Sequence, residues 1–472
     1  MDKILMVASE ATPFAKTGGL ADVMGALPQA LNARGEEVGV LIPRYRSVAL
    51  EGATRVYADL TIRLGLAAWK TDIYRAESGG VPYYLVDCPA LYDREGLYGD
   101  ADGDYPDNHI RFAVLSQAAL AVVRHVWRPD ILHCHDWQSA LVPVFMRQFF
   151  AADPTFMGLR VLVTIHNLGY QGRFPAAIIP EIGLGPEALE PETMGFFGQV
   201  NLMKGALVFA DAISTVSKAY AREIQGEELG FDLQSILRAR SSVLYGILNG
   251  VDYTAWNPET DAFIAAHYSA DDLAGKEACK RDLLGEAGLP EENLERPLVG
   301  IISRFINQKG FDLIAEIAAA LAGEDLALIA LGAGEPRYEQ MFRDLAAAHP
   351  DRFAVRIAYD NPLAHKIEAG ADMFLMPSWF EPCGLNQMYS LRYGTAPLVR
   401  AVGGLDDTVD ETTGFKFYEY SGSALLETVQ AALEAWQDRE AWRSMMRRGM
   451  RKDYGWDASA AEYSALYRRL VG

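Results

Sequence analysis

The hydrophobic positions of this chain gather into short unbroken runs separated by longer stretches of helical period. Ile4 to Ala8 and Val38 to Ile42 are apolar throughout, and between them Leu20, Val23, Met24, Leu27 and Leu31 recur at helical spacing until Gly35. A strand without polar alternation is buried on both faces. Strand, helix and strand at this spacing predict a βαβ unit with a right-handed crossover, the start of a doubly wound parallel sheet. Tyr83–Val86, Ile131–Leu132, Val161–Ile165 and Ala212–Val216 extend the series, with Ser217 placed to cap a following helix. A second series consists of Leu298–Ile302, a helix over Phe311–Ala322, Leu326–Leu331, Val355–Ile357, Met373–Met376 and Pro397–Val399. Between the two series, from the Asn249-Gly250 turn signal onward, the pattern is polar and irregular. The expected organisation is a doubly wound domain over residues 1–245, a second over 246–455, and a helix over 456–472. Asp457 is expected to cap that helix. Its apolar face of Tyr463, Leu466, Tyr467 and Leu470 has to dock, and the expectation is that it crosses back to the first domain.

Composition narrows the class. At 472 residues, half of them hydrophobic, the chain can fill more than one core. A net charge of −20 argues against nucleic acid or an anionic membrane as partner, because both require a basic face. Cys88, Cys134, Cys279 and Cys383 lie far apart without metal or redox spacing, and the N-terminus carries no basic region followed by an apolar core. A soluble, cytoplasmic protein is expected.

Candidate chemistry sits where ligands bind in open α/β sheets, at the carboxyl ends of strands. Lys16-Thr17-Gly18-Gly19-Leu20 follows the first strand and offers one cation and free backbone N–H groups, although it is neither GxGxxG nor a Walker loop. His133-Cys134-His135-Asp136-Trp137 and His166-Asn167 end two further strands. His133 and His135 share a strand face, which leaves a metal site with Asp136 open beside a hydroxyl- or phosphate-binding role. Asp100 to Asn108 is expected to be a loop with solvated or functional carboxylates. In the second half, Arg304 and Lys309 lie between a strand and a helix, a pair suited to a diphosphate. Met373–Met376 leads through Pro377, Glu381, Pro382, Cys383 and Gly384 into a helix, so that an anion site at the helix N-terminus is expected with Glu381 at its rim.

Taken together, Lys16-Thr17-Gly18-Gly19-Leu20, His135-Asp136-Trp137, His166-Asn167, Asn249-Gly250-Val251-Asp252, Arg304 with Lys309, and Glu381-Pro382-Cys383-Gly384-Leu385 make the chain closely resemble bacterial glycogen synthases and plant starch synthases over nearly its whole length. The resemblance implies an α/β fold of two Rossmann-like domains facing across a cleft (GT-B). It also implies a retaining glucosyl transfer from ADP-glucose to the non-reducing end of an α-1,4-glucan such as glycogen, with no cofactor and no metal. By the same resemblance Arg304 and Lys309 hold the diphosphate, Lys16 reaches it beside Gly18 and Gly19, and Glu381 binds glucose hydroxyls with Cys383, Gly384 and Leu385. His166 and Asn249 line the glucose, Asp136 is an active-site carboxylate, Asp22 contacts ligand, and Tyr359 stacks near the adenine.

Two departures from the wider pattern stand out. Tyr389 occupies the place of a second glutamate, as in the synthases themselves, and Trp379 and Asn386 stand where many bacterial members have Arg and Thr. The latter leaves the donor base preference open. A nicotinamide dehydrogenase would require GxGxxG, which neither half carries. A pyridoxal-phosphate glucan phosphorylase, a UDP-glucose-dependent transferase and a catalytically silent glucan-binding protein remain alternatives.

Overall fold

A computed structural model describes residues 2–472, which form two compact units. The first comprises residues 2–216, 221–250 and 456–472, and the second comprises 217–220 and 251–455.

The first unit is built on a nine-stranded sheet. Its strands are β1 (Lys3–Val7), β2 (Glu37–Pro43), β3 (Thr54–Leu64), β4 (Ala67–Ser78), β5 (Val81–Asp87), β6 (Ile131–His135), β7 (Arg160–Ile165), β8 (Ala212–Thr215) and β9 (Leu244–Gly246). They are arranged β9-β8-β7-β6-β1-β2-β5-β4-β3. All neighbours from β9 to β5 are parallel, whereas β5-β4 and β4-β3 are antiparallel. The unbroken apolar runs are the fully buried central strands: Ile4, Leu5, Met6 and Val7 are all 0 % exposed. Helix α1 (Gly19–Ala33) turns Val23, Met24, Leu27 and Leu31 onto this core.

The antiparallel pair β3 and β4 was not expected. Only Ile62, Leu64, Thr71 and Ile73 of the two strands are buried, and the bulged register around Asp59, whose φ is 55°, breaks the alternation a sequence pattern relies on. Within the Asp100–Asn108 segment a two-residue hairpin pairs Gly99–Asp100 with Gly103–Asp104, and Asp107 forms a double ion pair with Arg94.

The second unit holds a six-stranded parallel sheet of β10 (Leu298–Ile302), β11 (Ala327–Gly332), β12 (Phe353–Ile357), β13 (Met373–Met376), β14 (Ala396–Arg400) and β15 (Phe415–Phe417), ordered β12-β11-β10-β13-β14-β15. Helix α2 (Phe311–Gly323) follows β10, the short helices α3 (Asn386–Arg392) and α4 (Gly403–Thr408) follow β13 and β14, and Ser217 Oγ accepts the Tyr220 N–H as the expected cap. The irregular stretch hides a helix over Ala274–Ala287, whose buried side includes Lys276 and Lys280. Lys276 donates to the Ala369 and Tyr393 carbonyls and Thr395 Oγ1, and Lys280 pairs with Asp372 at 2.7 Å, so the inward face does not read as apolar.

The terminal helix α5 (Trp456–Val471) is part of the first unit, with Ala460, Tyr463, Leu466 and Tyr467 in its core. Asp457 does not cap it. The residue lies inside the first turn and pairs instead with Arg34 at 2.7 Å.

Candidate active site

In the second unit the site begins with two loops brought together by glycine. Gly310 (φ 76°) closes the loop after β10, and a Cβ there would stand 2.0 Å from the Pro377 carbonyl oxygen. That close approach aligns the 304–310 loop with the segment after β13. Trp379 N–H donates to the Gln308 carbonyl at 2.9 Å, and Gln308 Nε2 donates to the Phe380 carbonyl. The result is an ion pair across 72 residues: Lys309 Nζ donates to Glu381 Oε2 at 2.5 Å, and Ser378 Oγ donates to the same oxygen at 3.2 Å. Glu381 is only 6 % exposed. Arg304 lies in the same loop with its guanidinium exposed and unpaired among the described residues.

The Glu381 segment is held from behind. Gly404 N–H donates to the Glu381 carbonyl at 3.1 Å, and a Cβ on Gly403 (φ 47°) would come within 1.9 Å of that oxygen. Gln387 Nε2 donates to the Cys383 and Gly384 carbonyls and to Thr408 Oγ1. Cys383 is buried and forms no disulfide. The helix after this loop begins at Asn386 rather than at Gly384. Gly384 supplies a turn with φ 70°, Leu385 stands at the cap position, and Asn386 is used structurally, donating to the Ile302 carbonyl at 2.9 Å. Tyr389 stacks on Trp256 with ring centroids 4.1 Å apart, so the position of a second glutamate is an aromatic packing site. Tyr359, beyond the end of β12, is 90 % exposed, and its neighbour Asp360 caps the following helix through the Leu363 N–H.

In the first unit the carboxyl ends of β1, β6 and β7 bring a second set of residues together. Lys16 pairs with Asp22 at 2.7 Å, and both side chains are nearly half exposed. The loop that carries Lys16, Gly18 and Gly19 is anchored by Glu10, a residue the sequence reading missed. Glu10 is 3 % exposed and its Oε2 accepts the Thr17 N–H and hydroxyl at 2.5 and 2.8 Å. Burial pushes its carboxyl up from the ordinary range, and the Thr17 donors oppose that rise. A carboxylate just past the end of β1, seven residues before Thr17, was the signal available.

Asp136 has φ 56° and ψ −174°, a region nearly reserved for glycine and costing about 1–3 kcal/mol, which the surrounding structure has to over-determine. Its Oδ1 accepts the His166 backbone N–H at 2.7 Å. Burial pushes the carboxyl up to about 7, while the backbone N–H groups of His166 and Asn167 pull it down. His166 is joined through Nε2 to His135 Nδ1 at 3.0 Å, and burial holds its imidazole down to about 4. Asn249 is 7 % exposed, and its buried Oδ1 has no hydrogen-bond partner among the described residues.

The metal alternative does not fit these contacts. His133 and His135 do share a face, with rings 4.1 Å apart, but His133 Nδ1 and Nε2 are both engaged, by Tyr467 and Thr164 hydroxyls, and Asp136 is turned to the backbone of β7's end. Among the described residues no group of three His, Cys, Asp or Glu side chains is arranged to hold a metal ion.

Two units built on doubly wound parallel sheets have the fold of GT-B glycosyltransferases. The sucrose-phosphate synthase of Thermosynechococcus elongatus, 19 % identical, shares this fold with a TM-score of 0.62 over 100 % of this chain and 99 % of that one. Residues 3–239 match the starch synthase catalytic domain family, and residues 289–448 match glycosyl transferases group 1. A glycogen synthase from Koribacter versatilis (strain Ellin345) is 52 % identical over 99 % of this chain and 98 % of its own length. The catalytic domain of starch synthase IV from Arabidopsis thaliana, bound to ADP and acarbose, is 32 % identical, with a TM-score of 0.90 over 100 % of this chain and 99 % of that one. The chain belongs to the glycogen and starch synthase family.

Proposed function

We propose that this protein transfers glucose from ADP-glucose to the non-reducing end of an α-1,4-glucan, elongating glycogen with retention of the anomeric configuration. The observation that carries the reading is the pair of partly buried Lys309 and buried Glu381, with the exposed Arg304 in the same loop as Lys309. Breaking an anomeric bond to a diphosphate puts negative charge on the leaving group and positive charge on the sugar ring. A site that serves this step requires cations for one and a carboxylate for the other, held a few ångströms apart. Arg304 and Lys309 take the diphosphate in this reading. Glu381, backed by Cys383, Gly384 and Leu385, takes glucose hydroxyls and the developing ring charge.

In the first unit, Lys16 with Gly18 and Gly19 is assigned to donor phosphate and Asp22 to ligand. Lys16 first has to leave Asp22, an exposed pair that is held weakly. His166, Asn249 and Asp136 are assigned to the glucose, and the Asn249 Oδ1, without a partner among the described residues, supports this. Tyr359, so exposed, is suited to stack on a base. No cofactor and no metal are required, because the side-chain cations supply the charge. Attack is assigned to the face the diphosphate leaves, with the diphosphate accepting the acceptor's proton.

A glucan acceptor and an adenine nucleotide are supported by the ADP and acarbose of the starch synthase IV structure and by the glycogen synthase names of the relatives. No described helix is long and apolar enough to cross a membrane, and four buried cysteines without a disulfide among them suit a cytoplasmic location. Timed nucleotide release from ADP-glucose and from UDP-glucose, each with glycogen, tests the reading. Faster ADP release supports it. Preference for UDP-glucose, phosphate-dependent release of glucose 1-phosphate, or no reaction with either donor overturns it.

A further inference from the structure

We propose that His135 is a positioning residue that fixes the tautomer of His166, so that His166 presents Nδ1–H to the substrate as a hydrogen-bond donor. The inference deepens the function proposed above and rests on His166 facing the sugar.

The 3.0 Å contact between His135 Nδ1 and His166 Nε2 holds a single proton, which belongs to one ring or the other. If His166 donated, neutral His135 would carry its own proton on Nε2. That atom is buried and has no hydrogen-bond partner among the described residues, and His135 is 0 % exposed. A buried N–H without an acceptor is costly, whereas an unused lone pair at the same place costs less. Neighbouring groups do not relieve it. The neighbouring His133 ring, tilted against His135, is engaged through both nitrogens with Tyr467 and Thr164, and Asp136 Oδ1 takes the backbone N–H of His166. The remaining arrangement has His135 donating from Nδ1 to His166 Nε2. The proton of His166 then sits on Nδ1, which bonds no described residue in the half-buried side chain. Burial holds all three imidazoles below their ordinary range, so they stay neutral at pH 7 and the tautomer question is the relevant one. A fixed donor here is aimed at an oxygen of the sugar. The other tautomer would offer a lone pair and select a different hydroxyl orientation.

Imidazole nitrogen–proton correlation spectra of the full-length protein, with His166 assigned from His166→Gln, read the tautomer directly. The expected result is a proton on Nδ1 of His166. In His135→Leu the His166 signal moves toward the Nε2–H form, and turnover falls by roughly tenfold to a hundredfold while ADP affinity is unchanged. His135→Asn places an amide N–H near the Nδ1 position and restores both. A wild-type His166 protonated on Nε2, a tautomer unmoved in His135→Leu, or a folded His135→Asn as impaired as His135→Leu overturns the proposal. If His135→Leu does not fold, the wild-type spectrum decides alone. Failure of glucosyl transfer itself would show as a wild-type protein without turnover, leaving the spectra to be read independently.

Discussion

Lys309 Nζ and Glu381 Oε2 lie 2.5 Å apart, so the cation assigned to the leaving diphosphate and the carboxylate assigned to the sugar neutralise one another before any ligand arrives. The pair resolves a difficulty of this chemistry. Glu381 alone at 6 % exposure would be an uncompensated buried charge, and its partner has to be one that a diphosphate can engage when donor binds.

Removing the cation therefore has two effects. Lys309→Ala is expected to weaken ADP binding by about tenfold to a hundredfold, the loss of a charge-assisted hydrogen bond of roughly 1.5–3 kcal/mol. It should also lower stability by about 1–2 kcal/mol, because Glu381 keeps Ser378 as its remaining side-chain partner and the Lys309 stem is only partly buried. Calorimetric titration with ADP and denaturant melts check both. Unchanged ADP affinity would remove Lys309 from the diphosphate site.

Removing the carboxylate separates binding from chemistry. Glu381→Gln is expected to keep the fold and to leave ADP affinity unchanged or slightly tighter, since Lys309 is released from its partner. Turnover should fall by about a hundredfold or more, because the lost charge acts on the transition state. Near-normal turnover contradicts the assignment.

The strands, and the strand-end loops that carry the candidate residues, were legible from sequence, and the illegible part has a physical cause. Strands such as β1 and β13 announce themselves because burial on both faces leaves no polar position, and the motifs that follow them fall at strand ends by topology alone. The Lys309–Glu381 contact is different in kind. It depends on Gly310 lying under the Pro377 carbonyl, a backbone approach that no local pattern encodes. Strands β3 and β4 were missed because they are mostly exposed, and the Ala274–Ala287 helix because Lys276 and Lys280 face inward. Glu10 was missed because its partners lie in a loop, where spacing carries no face.

The first unit's carboxylates give a pH test. Burial pushes the Asp136 carboxyl up to about 7 from an ordinary value of 3.8. Between those values the folded state keeps a proton that the unfolded chain has lost, so this residue's contribution to stability falls as pH rises. Asp136→Asn removes that dependence. The variant's stability relative to wild type should improve by on the order of 2–4 kcal/mol between about pH 4 and pH 8. A difference that stays constant with pH would show that Asp136 is not perturbed.

Glu10→Ala tests the anchoring of the Lys16 loop. With the two Thr17 hydrogen bonds gone, donor affinity should fall by about threefold to tenfold as the loop pays ordering entropy on binding. The KM for ADP-glucose against kcat, with melting temperature as control, reads this effect. An unchanged KM in a folded variant would mean that the loop does not meet the donor.

The most direct test of the central claim measures ADP release and glucose incorporation together, in wild type and Glu381→Gln, with glycogen, ADP-glucose and an excess of chelator. The account predicts one ADP released for each α-1,4-linked glucose added, a wild-type rate unaffected by the chelator, and near-complete loss in Glu381→Gln. ADP release without chain elongation, a reaction abolished by chelation and restored by zinc or manganese, or a fully active Glu381→Gln would contradict it.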